Sequence, residues 1–328
     1  MIITGTGRAF GETRLSNEDI ARECGAEPSS PVFEAAEENG FAVRWRADAD
    51  TCVSTLMARA AKKAIASAGL APEDIGLLIC VTDTPDFVSP PTAARVQSET
   101  GAHNAGFFDL NCSCSGFVSA LVAADSLMCC DQSLRHVLIA GGNLYSRALA
   151  PDDVLSRLMF SDSAGAVVLS SGGEGRGLCG FSICGDGSHW WRWGIFAGGS
   201  WKGFSPETLA QGFQHLKTVE PYKSDINLKN WPLVAGKALR KAGWDAKDVE
   251  LAFLTQSRRK NIETLCRRLG WPDEISHDTA GSYGYCGSGC IPIALDDARE
   301  KGRLRAGRKL LILASGVGYG CAAAAFTW

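Results

Sequence analysis

The chain has 328 residues, 45% hydrophobic and 21% charged, with 37 glycines and a net charge of −3. That size and composition suit one large or two fused globular domains, and the near-neutral charge gives no electrostatic reason to expect nucleic acid or a membrane surface as partner. The 13 cysteines, several in apolar runs such as those around Cys80 and Cys321, read as small buried hydrophobes of a reducing, cytoplasmic compartment rather than as a disulfide framework.

In chain order, residues 1–9 read as a short strand running into a Gly-rich turn, without the basic and apolar regions of a signal peptide. No apolar stretch is expected to reach the roughly 18 residues of a membrane span. Val53, Leu56, Met57, Ala60, Ala64 and Ile65 fall at helical spacing, with Gly69 where a helix C-cap would stand. Leu77 to Val81 is a continuous apolar run, the pattern of a strand buried on both faces. Residues 106–117 pass from a strand through a turn of small residues into an Ala/Leu-rich helix, and Val137 to Ala140 is a further buried strand. Residues 172–228 then interrupt the alternation and carry Trp190, Trp191, Trp193 and Trp201. They read either as a crossover with a lid or tunnel wall, or as an aromatic-anchored surface loop. Helix and strand resume from 229, ending in the buried run Leu310 to Ala314.

The second stretch repeats the first. Ala64 to Thr82, a helix stopped by Ala-Gly and followed by an Asp-bearing loop and an apolar strand, pairs with Ala238 to Gln256, 174 positions on. Cys114-Ser-Gly-Phe117 and its helix pair with Gly287-Ser-Gly-Cys290 and the helix after it. The strand from Arg135 pairs with the strand from Arg308, 173 positions on. A nearly constant offset through three elements indicates two similar α/β halves packed sheet to sheet around shared helices. The organisation expected is an N-terminal half at 1–171, a crossover or lid at 172–228, and the remainder of the second half at 229–328.

Cys114 stands at the strand-to-helix junction, where helix dipole and free amides favour a thiolate and can cradle an oxyanion. The alternative is an inert core thiol. Cys112/Cys114 and Cys286/Cys290 lack the paired spacing and flanking histidines of a zinc site, so no metal is expected. The basic runs Arg258-Arg259-Lys260 and Lys301 to Arg308 read as solvated faces, or as docking sites for an acidic carrier protein.

Asp109-Leu-Asn-Cys-Ser-Cys114-Ser-Gly-Phe117 resembles the nucleophile turn of the ketoacyl synthase III family, with Cys114 in the nucleophile's place. Ser89 to Gln97 resembles the start of that family's dimer-interface helix, Phe160 to Leu169 its Gly-Asp-Gly-Ala-Gly segment, and Ala314 to Tyr319 its C-terminal Gly-rich turn. The resemblance implies an α/β thiolase-like fold of five αβαβα layers, a homodimer, an acyl-Cys114 intermediate, no cofactor, and an oxyanion site from the amides of Cys114 and of Gly316 or Val317.

The chain departs from the family at two helper positions. Thr255, in Phe253-Leu-Thr-Gln256, stands where the family has a His before Gln, and Tyr285 stands where it has an Asn. His103, His136, His189 and His215 lie away from the matched motifs, and His277 alone is near enough in sequence to approach the site. A decarboxylated malonyl group needs two donors on its enolate oxygen, and neither Thr255 nor an ordinary Tyr285 is a base near neutral pH. The reading favoured is therefore acyl transfer from Cys114 to an amine, hydroxyl or thiol of a small-molecule acceptor in specialised metabolism. The alternatives are carbon–carbon condensation using Thr255 and Tyr285, or a non-catalytic partner subunit of a ketosynthase. Glu37 and Glu38, where the family grips coenzyme A, would repel a pyrophosphate and favour an acyl carrier protein, or an unusual pantetheine contact, over tightly bound coenzyme A as donor. The alternative is that they are solvated surface acids in a loop that aligns poorly.

Overall fold

Strands buried on both faces need a helical layer on each side, and this chain supplies such layers twice. A computed structural model of the protein describes residues 1–173 and 175–328. One sheet has five strands in the order Ile2–Phe10, Ser163–Ser170, His136–Asn143, Leu77–Val81, Gly106–Asp109. The other has four, Gly177–Gly185, Gly320–Thr327, Lys309–Gly316 and Leu251–Leu254. Strand for strand the two orders match, and so do the pairings: antiparallel, antiparallel, then parallel. The fifth strand of the first sheet has as its counterpart a single parallel bridge, Ala252 to Ser276.

Five layers result. The helices Val53–Ser67 and Thr92–Thr100 cover the outer face of the first sheet. Gly116–Cys130 and Cys290–Glu300 lie between the sheets, and Ile226–Lys241 with Arg259–Leu269 cover the outer face of the second. The helical spacing read in the first half holds: Val53, Leu56, Met57, Ala60, Ala64 and Ile65 are all buried. Gly69 follows this helix with φ +70°, a conformation that stops it cheaply only without a Cβ.

Two expectations are corrected. Ser113–Cys130 is eighteen residues with a mean hydropathy of 1.5, so one stretch is long and apolar enough to cross a membrane. Its composition follows from its place, because it is the central helix pressed between two apolar sheets, with most of its length buried. Residues 172–228 are also not wholly outside the repeat. Gly177–Gly185 is the edge strand of the second sheet and the counterpart of Ile2–Phe10, and the helix Ile226–Lys241 already begins inside that range. Three glycines in Gly177–Gly185 break the apolar run that marks the other strands. The interruption proper is 186–225.

The halves are tied by charge as well as by core. Arg8 on the first strand donates to Asp296 at 2.5 Å and Glu300 at 2.6 Å on the central helix Cys290–Glu300. Next to them the buried Asp297 accepts from Tyr283 at 2.8 Å and Lys301 at 2.7 Å, and pairs with His277 Nε2 at 2.8 Å.

Candidate active site

The turn that carries Cys114 is built from its flanks inward. Gly106–Asp109 runs parallel to Leu77–Val81, and Asp109 accepts the amides of Thr92 and Ala93 at 2.7 and 2.8 Å, fixing the start of the neighbouring helix. Ser113 then takes φ +52°, a strained conformation for a residue with a Cβ. Its amide is held by Asn111 Oδ1 at 3.1 Å, and Ser115 Oγ returns to the Cys112 carbonyl at 2.7 Å. One tight turn, Ser113–Ser115, leads into the helix Gly116–Cys130. Cys114 is left at the N-terminal end of that helix, nearly buried, with its sulfur on a cavity.

That cavity has a volume of about 330 Å³. Tyr285, Gly316 and Val317 join Cys114 in its wall, so four of the five residues singled out in the sequence meet there. Tyr285 is set by its backbone, whose amide donates to Met159 O at 2.8 Å and whose carbonyl accepts from Ser161 N at 3.0 Å. Gly316 ends its strand against the Cys114 turn. A Cβ there would lie 2.7 Å from Cys112 O and 3.0 Å from Cys114 N, so only glycine permits the approach. Cys114, Gly316 and Val317 thus border one space. Trp193, Thr218, Tyr222 and Asn227 give the 172–228 region a share of the wall, while Trp190 and Trp201 stay exposed and pack on each other.

Thr255 does not line this cavity. It is buried behind the wall, where its hydroxyl accepts the Ser315 amide at 3.0 Å. Its short side chain positions the Ser315–Gly316 corner rather than facing Cys114. None of the five histidines lines the cavity either. His277 points away, between Asp297 and Arg303. Glu37 lines a separate groove beside Arg259, whereas Ala35, Asn39 and Phe41 from the same region reach the cavity.

The expected lowering of the Cys114 pKa is overturned. Burial, followed by the neighbouring Asp83 carboxylate, pushes the thiol up to about 12, against the opposing pull of the Tyr285, Ser113 and Tyr145 hydroxyls. Desolvation and the like charge of Asp83 thus favour the neutral thiol over the thiolate. Burial also raises Asp83 and lifts Tyr285 and Tyr145 far above the usual phenol range. Asp83, Ser113 and Tyr145 were not singled out from sequence. Asp83 and Tyr145 follow the parallel strands Leu77–Val81 and His136–Asn143, whose ends are adjacent, Val81 facing Gly141. The carboxyl ends of neighbouring parallel strands are where α/β sheets gather functional groups, and that was the available signal.

A family model for 3-oxoacyl-[acyl-carrier-protein] synthase III matches residues 108–187, and the model for its C-terminal part matches 239–328. The β-ketoacyl-[acyl-carrier-protein] synthase III of Symbiobacterium thermophilum is 33% identical over 338 residues, covering 99% of this chain and 97% of that one. The chain belongs to the 3-oxoacyl-[acyl-carrier-protein] synthase III family. The chain is also similar to a 3-oxopimeloyl-[acyl-carrier-protein] synthase of Rhodothermus marinus, 34% identical with 99% and 93% of the two chains covered. The solved 3-oxoacyl-[acyl-carrier-protein] synthase III of Aquifex aeolicus superposes with a TM-score of 0.86 at 26% identity, over 99% of both chains. The thiolase fold and an acyl-transferring, ketoacyl synthase III-like enzyme follow from this membership.

Proposed function

We propose that the protein accepts an acyl group from a thioester onto Cys114 and passes it to an amine, hydroxyl or thiol of a small acceptor, in a step of specialised metabolism. The observation that supports this most is the cavity wall, which carries Tyr285 and no histidine around the sulfur. In loading, the Cys114 sulfur attacks the thioester carbonyl, whose oxygen becomes an oxyanion facing the amides of Cys114 and Gly316 or Val317. The donor thiol leaves with a proton. In transfer, the heteroatom of the acceptor attacks the Cys114 thioester, the same amides hold the second oxyanion, and Cys114 is released. Neither step breaks a carbon–carbon bond, so neither needs an enolate helper. Thr255 then has a positioning role at Ser315, and Tyr285 hydrogen-bonds the sulfur or the acceptor.

The relatives' names point to acyl carrier protein as donor, with coenzyme A as the other form of the same pantetheine thiol. The exposed Arg258 and Lys223 at the cavity mouth suit a phosphate on that arm. A homodimer is part of the same reading. Gly106–Asp109 is an unpaired edge of its sheet, and Phe107 and Phe108 on it are exposed, which suits pairing with a second copy. The relatives' names support a second reading, carbon–carbon condensation, in which Tyr285 on the cavity wall would be the donor to the enolate.

Intact-protein mass spectrometry after exposure to acyl-coenzyme A and acyl-carrier thioesters tests the proposal. One acyl increment is expected on the wild type and none on Cys114→Ala. The loaded enzyme, offered amines, alcohols and thiols, should lose the increment and yield the corresponding amide, ester or thioester. Loss of the increment only to malonyl thioester would move the assignment to condensation. No loading from any donor would leave the partner-subunit reading.

A further inference from the structure

A thiol held as neutral by burial needs somewhere to send its proton, and the site contains no histidine to take it. Behind Cys114 lies Asp83, a carboxylate in the loop after Leu77–Val81 with no cationic partner among the described residues. Its Oδ2 accepts Ser113 Oγ at 2.9 Å and Tyr145 OH at 3.0 Å. Ser113 Oγ in turn stands 3.8 Å from Cys114 Sγ. The carboxylate, hydroxyl and thiol form a continuous chain. Ser113 keeps its hydroxyl there by adopting the strained φ of +52°, and strain of that kind persists where the surroundings require it.

A partly buried carboxylate with no cationic partner is costly to keep ionised, and protonating it relieves both its own desolvation and its repulsion of the thiolate. We propose that Asp83 is the proton acceptor of the nucleophile, reached through Ser113. In loading, the Cys114 S–H bond breaks as its proton passes to Ser113 Oγ, while the Ser113 O–H proton passes to Asp83 Oδ2. The sulfur lone pair then forms the bond to the thioester carbonyl carbon. When the tetrahedral intermediate collapses, the donor's carbon–sulfur bond breaks and the proton held on Asp83 returns through Ser113 to the departing thiolate. In transfer, the acceptor's N–H, O–H or S–H proton follows the same route and ends on the Cys114 sulfur. The site carries one negative charge before and after each proton shift, so the Asp83 carboxylate that repels a thiolate is neutralised in the step that creates one. Burial raises Asp83, which brings its basicity toward that of the task.

The titratable groups facing the pair are Tyr145 beside Asp83, Tyr285 beside Cys114, and Cys290 behind them, all held neutral by burial. The exchange is therefore a coupled titration of Asp83 with Cys114, and its signature is a pH profile rather than a single rate.

The proposal rests on Cys114 as nucleophile but needs no acyl donor to test. Iodoacetamide, a small neutral electrophile, reports the available thiolate, and peptide mass spectrometry resolves Cys114 from the other cysteines. In the wild type the Cys114 alkylation rate should hold a plateau between the titration of Asp83 and that of the thiol. In Asp83→Asn the rate near neutral pH should fall by about tenfold or more. It should then climb tenfold per pH unit and cross the wild-type curve at alkaline pH, because the repulsion that raised the thiol is gone. Ser113→Ala, which keeps the backbone demand at φ +52° and removes only the hydroxyl, should lose the plateau. An Asp83→Asn profile parallel to wild type, or faster at every pH, would overturn the proposal, as would an unchanged plateau in Ser113→Ala. Failure of acyl loading in the wild type beside this crossing would instead count against the transfer function alone.

Discussion

The two halves build the same turn and put it to different use. In the first half Ser113 takes φ +52°, one tight turn follows, and the helix Gly116–Cys130 begins. In the second half Gly287 takes φ +52°, Gly287–Gly289 form the tight turn, and the helix Cys290–Glu300 begins. Cys114 and Ser288 occupy equivalent places, which corrects by one residue the pairing of Cys114 with Gly287 read from the sequence, because the two left-handed residues, Ser113 and Gly287, set the register. The turns meet across the middle layer, where Ser288 Oγ donates to the Ser113 carbonyl at 3.3 Å. The Ser288 amide is held by Asn143 at 2.8 Å. Cys114 borders the cavity and Ser288 is sealed from solvent. A shared backbone device thus faces open space in one half, where the proposed function needs it, and is closed off in the other. The opposite turn serves as its backing. The non-glycine residue at the strained position also differs in kind, because Ser113 brings a hydroxyl to Asp83 that Gly287 lacks.

This contrast can be broken at either turn. The largest effect should come from Cys114→Ala, which removes the acyl increment completely while leaving the fold intact, as intact-mass spectra and circular dichroism would register. Next, Gly316→Val should slow acyl loading by about 10²–10³-fold, the cost of losing an oxyanion donor, because its side chain would be forced against the Cys114 amide. Rapid-quench mass spectrometry reads that rate. Gly287→Ala acts on the backing turn. Its Cβ would lie 2.7 Å from both Asn143 Oδ1 and Tyr145 OH in a left-handed conformation, and denaturant titration should show a loss of about 1–3 kcal/mol. Ser288→Ala should be mildest, about 1 kcal/mol in the same titration for one buried hydrogen bond, with loading unchanged. Equal loss of loading from Ser288→Ala and Cys114→Ala would contradict the asymmetry.

Much of this architecture was legible in the sequence, because duplication writes the same helix-and-strand pattern twice and apolar runs mark doubly buried strands. Gly177–Gly185 escaped notice since its three glycines remove the side chains that carry such a pattern. The central helix passed for ordinary in a reading by charge and length, although its apolarity reflects two sheets pressing on it. At the site, Cys114 and the Gly316 corner are fixed by local chain geometry and were readable. Thr255 occupied the expected position in the chain, but its hydroxyl is taken by the Ser315 amide, a contact between neighbouring strands that no spacing reveals. Asp83 and Tyr145 meet only because two parallel strands end side by side, and the raised thiol is a property of that assembled, dehydrated cluster.

The most direct test of the account is carbon dioxide release when acyl-loaded wild-type enzyme meets malonyl thioester, measured beside parallel reactions with amine, alcohol and thiol acceptors. Acyl transfer without decarboxylation predicts release no greater than that of Cys114→Ala, together with loss of the acyl increment to a heteroatom acceptor. Carbon dioxide released in step with loss of the acyl group would contradict it and make the protein a carbon–carbon condensing enzyme.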